Sequence, residues 1–70
     1  MIGEMPCPIR WGGPDYSYGT LWEASGDQFL IRLPDGEEVV RSIASETWQV
    51  EIADVWLTHD AVRWSNGYLG

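Results

Sequence analysis

The 70-residue chain has no lysine and a single cysteine, Cys7. One thiol excludes an internal disulfide. With only one histidine beside it, the four-ligand Cys/His pattern of structural zinc sites is also excluded. No apolar run approaches the ~18 residues that span a bilayer, and no charged segment followed by an apolar one stands where a signal peptide would. Four arginines face eleven carboxylates, a formal net charge of -7. Without a basic cluster, direct binding to nucleic acid or to an anionic membrane is disfavoured. The expectation is a cytoplasmic protein (in the host cytoplasm if phage-encoded) with no cofactor and no metal, since a free cysteine fits a reducing compartment.

What the chain does have is aromatic rings: Trp11, Trp22, Trp48, Trp56 and Trp64, with Tyr16, Tyr18, Tyr68 and Phe29. Seventy residues make one domain, 1–70, and a domain of that size hides only about 60% of the surface its unfolded chain exposes. Each ring buries roughly 150–250 Å². At about 25 cal/mol per Å² that is about 4–6 kcal/mol gross per ring, before entropy. Two or three tryptophans therefore suffice to anchor the core. Five exceed what so small a core encloses, so one or two are expected to lie partly exposed.

Residues 18–43 read as strand, turn, strand, turn, strand. Phe29, Ile31 and Leu33 alternate with Leu30 and Arg32, the period of a half-buried strand. Pro34-Asp35-Gly36 is a turn with a mechanism: a preset φ, an Asp that bonds its own backbone, and a Gly that accepts positive φ. Ser25-Gly26-Asp27 closes the preceding hairpin in the same way. In the first strand Tyr18, Thr20, Trp22 and Ala24 share one face, and Leu21 and Glu23 the other. In the third, Val39 and Ile43 oppose Val40 and Ser42, and the inward side is open to either reading.

Around this meander, residues 1–14 read as irregular, because Pro6, Pro8 and Pro14 lack backbone donors and Gly12-Gly13 loosens the chain. A short strand over Ile9 to Trp11 is expected against the sheet edge, with Arg10 placed to stack on a ring. Trp48, Val50 and Ile52 alternate as a fourth strand. Residues 54–64 carry two patterns. Val55, Leu57 and His59 continue a strand, whereas Trp56, Leu57, Asp60, Ala61 and Trp64 fit a helix or 3-10 turn capped by Asp54. A last short strand over 62–64 and a tail at 68–70 follow. The predicted fold class is mainly β: a small five-stranded barrel, SH3-like or truncated OB-like, with the short helix or 3-10 turn near the C-terminus as the alternative.

Gly19-Thr20-Leu21-Trp22-Glu23, then Phe29, Leu33, Asp35-Gly36 and Val39-Val40, resemble the opening three strands of the OB-fold in bacterial initiation factor one and S1-type domains. Similar glycines and turns occur in Tudor-type and other SH3-like meanders. The resemblance covers residues 19–46 and implies the meander. The basic residues by which those domains hold RNA are absent, and only 24 residues follow Glu46, so RNA binding is not implied. Acidic Sm- or SH3-like barrels that inhibit a nucleic-acid enzyme offer a second analogy.

Chemistry is sparse. His59-Asp60 is the one histidine with an adjacent carboxylate, but on a strand neighbouring side chains point to opposite faces, so Asp60 would not orient His59 there. A surface histidine is the plainer reading, and Cys7 reads as apolar filler. The carboxylates Asp35, Glu37, Glu38, Glu46, Glu51, Asp54 and Asp60 are candidates for an acidic binding face. Residues at i and i+2 on a strand lie roughly 6.5–7 Å apart, similar to neighbouring phosphates; a solvated surface is the plainer account. Tyr16, Tyr18, Trp22, Trp48 and Trp64 are candidates for a cage or an interface, with core filling as the plainer account. The expected function is a non-catalytic binding protein, with enzyme as the least favoured class. It would be a small inhibitor, phage-encoded in the anti-CRISPR or anti-restriction manner, docking on a larger protein with a basic, nucleic-acid-handling surface by mimicry or steric block. The alternatives are an aromatic-pocket ligand module and a structural subunit of a homo-oligomer or virion.

Overall fold

The computed structural model describes residues 1–69. In chain order the strands are β1 (Ile2–Gly3), β2 (Cys7–Trp11), β3 (Ser17–Ser25), β4 (Gln28–Arg32), β5 (Glu38–Ser42), β6 (Trp48–Ile52), β7 (Val55–Thr58), β8 (Arg63–Trp64) and β9 (Tyr68–Leu69). Two 3-10 turns, η1 (Ile43–Ser45) and η2 (His59–Ala61), complete the elements. The fold is mainly β, with no α-helix among the described residues. Six strands lie in the spatial order β5-β4-β3-β2-β6-β7, each pair antiparallel, and β9 joins β3 in parallel. β1 and β8 form a separate parallel pair. Among the described residues no ladder joins β5 to β7, so hydrogen bonds do not close the sheet into a barrel. The described chain measures 26 × 25 × 22 Å, and its strands pack round one hydrophobic core.

The turn chemistry of the meander accounts for its register. Ser25 pairs with Gln28, leaving Gly26-Asp27 as a two-residue loop. Between β4 and β5 the Gly36 amide donates to the Leu33 carbonyl at 2.9 Å and the Glu37 amide to Asp35 Oδ1 at 2.9 Å. Gly36 sits at φ 92, which L side chains resist. The β6–β7 hairpin turns through Ala53 and Asp54, both at positive φ (52 and 66), the pairing of angles that matches strand twist in two-residue loops.

Ile9, Leu21, Ala24, Phe29, Ile31 and Val50 are wholly buried, with Trp48 at 1% exposure among them. Phe29 meets Trp48 edge-on at 5.4 Å between centroids, and Trp11 lies 5.1 Å from Trp48. Val39 packs against this cluster while Val40 is exposed, which settles the facing of β5.

Three expectations are corrected and one open reading is resolved. Residues 1–14 are not irregular throughout: β2 runs over five residues and lies inside the sheet between β3 and β6. Pro8 is tolerated there because the β6 ladder reaches only Ile9–Trp11, so β2 is paired on one side at Pro8. A register shift between Leu21 and Glu23 makes Trp22 a bulge, so Leu21 and Ala24 both point inward and Ala24 parts from Trp22. Residues 54–64 divide, with strand β7 first and the 3-10 turn η2 after it. The expected tail pairs as β9 with Ala24 and Ser25; Gly70 lies outside the described residues.

Candidate binding face

Strand alternation turns a second set of side chains away from the core. Arg10 lies between buried Ile9 and Trp11, Thr20 before buried Leu21, and Gln49 between buried Trp48 and Val50. Cross-strand register sets Arg10 opposite Tyr18 on one side and Gln49 on the other, and Glu51 opposite Trp56. The outer face of β3, β2, β6 and β7 thus gathers rings around one arginine.

The Arg10 guanidinium carbon is 4.0 Å from the centroid of Tyr16 and 4.3 Å from that of Trp56. Its Nε donates to Gln49 Oε1 at 2.7 Å. Tyr18 meets Tyr16 at 6.3 Å and Trp56 at 6.0 Å, edge-on to both. Two rings therefore lie against a guanidinium, with Tyr18 edge-on to both, and the occupant is the chain's own. Tyr16 reaches Arg10 because residue 13 has no side chain: a Cβ there would stand 2.7 Å from the ring. Beside the cluster is a concavity of about 470 Å³ between the Gly12-Gly13-Pro14 loop and Glu46-Thr47, walled by Tyr16 and Gln49.

A second stack lies across the sheet. Arg32 is 4.4 Å from the Trp22 ring and 3.9 Å from the Glu38 carboxylate. Arg41, on the inward side of β5, is 5.7 Å from Trp48 and 3.5 Å from Glu46. Such contacts are worth about 0.5–1 kcal/mol at exposed sites.

Of the aromatic candidates, Tyr16 and Tyr18 come together, and Trp22 shares their face on the other stack. Trp48 does not belong with them: it is a core residue whose indole N–H donates to the Ile43 carbonyl at 2.9 Å. Trp64 is half-buried, 6.1 Å from Tyr68, with its indole N–H buried and unpartnered. The acidic candidates do not form one stripe. Asp35 and Glu37 lie in the β4–β5 turn and Glu38 opens β5, Glu51 and Asp54 belong to the β6–β7 hairpin, and β5 and β7 are opposite ends of the strand order. Glu46 borders the concavity, and Asp60 lies in η2. No described strand carries carboxylates at i and i+2, so the phosphate-like spacing is not realised.

Trp56 and Gln49 were not candidates from sequence. The signal was the strand reading of 54–64, in which Trp56 alternates with Leu57, the cross-strand partner of buried Val50. His59 and Asp60 do meet, contrary to the strand geometry expected for them: the 3-10 turn brings His59 Nε2 to 2.9 Å from Asp60 Oδ1. The imidazole is not a surface group either, since it packs edge-on against Phe29 at 5.1 Å. Burial pushes the Cys7 thiol up to about 11, away from the thiolate a nucleophile needs. Among the described residues no three His, Cys, Asp or Glu side chains gather as metal ligands, and no helix is long and apolar enough to cross a membrane. No protein-family model matches the chain, and neither a curated protein nor a solved structure matches it.

Proposed function

We propose that the chain is a non-catalytic binding protein whose outer aromatic face docks on a basic surface of a larger, nucleic-acid-handling protein and blocks it sterically. One observation carries this reading. Both arginines of the face, Arg10 and Arg32, lie against rings, so the face offers Tyr18, Trp22 and Trp56 among Glu23, Glu38 and Glu51. Tyr18 is 49% and Trp22 37% exposed, enough to serve as anchors. The net charge of -7 would speed encounter with a basic partner.

The fold reading that accompanies this is SH3-like. The order β6-β2-β3-β4-β5, with the 3-10 turn η1 linking β5 to β6, is the arrangement that supports it. An anti-CRISPR or anti-restriction role is the specific form that size and charge favour. A pocket for a free cation has less support, because such a ligand would first have to displace Arg10. The test is affinity capture from a host lysate at low and moderate salt, comparing the native chain with Tyr18→Ala/Trp22→Ala, followed by reconstitution with the purified partner. A salt-sensitive, ring-dependent complex with a basic protein is expected. Equal capture by the variant, or an acidic partner, overturns the reading.

A further inference from the structure

Arg10 differs from the two other stacked arginines. Arg32 and Arg41 each have a carboxylate within 4 Å, Glu38 and Glu46. Among the described residues Arg10 has none, although the chain carries eleven carboxylates. Among the described residues only its Nε is bonded, to Gln49. Among the described residues its two terminal nitrogens have no acceptor, yet they are not among the buried unsatisfied atoms, of which Trp64 Nε1 is the single described example. They are therefore open to solvent. Tyr16 and Trp56 lie against the guanidinium at 4.0 and 4.3 Å from its carbon, and what remains unbonded is the fork of terminal N–H donors.

We propose that this fork is a receptor for a carboxylate, supplied by an acidic side chain or a chain terminus of the docking partner. A carboxylate presents two oxygens in the spacing of the fork and accepts two parallel hydrogen bonds. The neighbouring concavity is walled by Tyr16 and Gln49, the same residues that hold Arg10. Gln49 and Thr47 line it and bring an amide and a hydroxyl donor, against one carboxylate, Glu46. Gly12 and Gly13 leave it open at the loop. The proposal refines the contact described above and rests on this face being the docking face. General negative charge would bring a basic partner close, and one carboxylate on Arg10 would set its register.

The test needs no partner, so its failure leaves the capture experiment unaffected. The native chain is titrated with sodium acetate against sodium chloride of equal ionic strength, reading the Arg Nε–Hε and Trp56 indole resonances by NMR. Arg10 and Trp56 are expected to shift saturably, with a Kd on the order of 10–100 mM for one charge-assisted bidentate contact. Arg63, which is exposed and makes no ring stack, serves as the internal control and should not move. Arg10→Lys, which keeps the charge but not the fork, should lose the saturable Trp56 response. Equal movement at Arg10 and Arg63, equal effect of chloride, or an undiminished response in the lysine variant overturns the proposal. A response to inorganic phosphate without one to acetate removes the carboxylate assignment.

Discussion

Arg10 and Trp56 lie on strands that do not pair, yet the guanidinium carbon of one stands 4.3 Å from the ring centroid of the other. β6 separates them, and the contact passes over it beside Gln49, whose Oε1 accepts a hydrogen bond from Arg10 Nε. The contact ties β7, the last strand of the order, to β2 in the sheet interior. The same side chain thus braces an edge strand and organises the candidate face.

The brace has a measurable coupling. Arg10→Ala should cost about 1–2 kcal/mol, from two stacking contacts and one hydrogen bond at a partly exposed site. Trp56→Ala should cost a similar amount, and the double variant less than the sum by about 0.5–1 kcal/mol. Urea unfolding of the four proteins gives the cycle. Strict additivity would show that guanidinium and indole are neighbours without interaction energy.

Trp48 and Trp22 should separate by severity. Trp48→Ala empties a core site at 1% exposure and strips Phe29 and Trp11 of a ring contact, so it should cost about 3–5 kcal/mol. That approaches the whole stability of a chain this size, about 4–10 kcal/mol. Trp22→Ala, at 37% exposure on a bulge, should stay within about 1 kcal/mol. Circular dichroism and urea melts decide between them. A Trp48→Ala protein as stable as Trp22→Ala would contradict a core built on Trp48.

Asn66 replaces a strand at the point where the chain ends meet. Its Oδ1 accepts from the Met5 amide at 2.7 Å and its Nδ2 donates to the Met5 carbonyl at 3.0 Å. Asn66→Ala would leave both backbone groups of a residue only 5% exposed without partners, at a cost of about 1–3 kcal/mol. Asn66→Asp keeps the acceptor, loses the donor and faces a carbonyl with a charge, so it should be no better. Hydrogen exchange at the Met5 amide, faster in both variants, reports the local opening. Unchanged protection would remove Asn66 from this role.

The central meander was legible because its information is local. Phe29, Leu30 and Ile31 alternate without interruption, and Pro34-Asp35-Gly36 specifies its own turn. Burial of Phe29, Ile31 and Val50 followed from period alone. What stayed hidden depends on distant partners. The bulge at Trp22 reverses the phase of β3 with no glycine or proline at Trp22 to mark it. Pro8 argues for an edge, and only the shortness of the β6 ladder allows it inside the sheet. β9 pairs through two residues, too few to carry a pattern. The ring cluster was half visible: Tyr16 and Tyr18 are near one another in sequence, but Trp56 joins them only once β6 is known to lie beside β2.

Alkaline pH should loosen the fold in a defined window. Burial raises the Cys7 thiol from 9.0 to about 11, and burial followed by the Asp60 charge raises the Tyr68 phenol. A raised folded value means the unfolded chain releases its proton first. Stability is then complete below about pH 9 and falls as pH climbs toward 11. The Cys7 share of that slope is at most about 1.4 kcal/mol per pH unit. Urea midpoints at intervals across this range should decline less steeply in Cys7→Ala. An identical slope in both proteins would show that the thiol titrates alike in folded and unfolded chains.

The separation of Glu51 from the carboxylates of the β4–β5 turn gives the docking proposal its sharpest check. Glu51 lies opposite Trp56 on the ring-bearing face, whereas Asp35 and Glu37 sit in the β4–β5 turn beyond the other end of the sheet. A partner seated on the face should feel Glu51 directly. Glu51→Gln should slow association and flatten its salt dependence, with little change in dissociation, because a rim charge steers more than it holds. Asp35→Asn/Glu37→Gln removes two charges and should slow association less than the single change at Glu51. Tyr18→Ala should act on dissociation, weakening the complex about tenfold or more, as loss of an anchor ring does. Stopped-flow or surface-plasmon kinetics with the reconstituted partner reads all three. If the turn variant proves the more damaging, the partner sits at the β4–β5 end and the rings around Arg10 serve the fold alone.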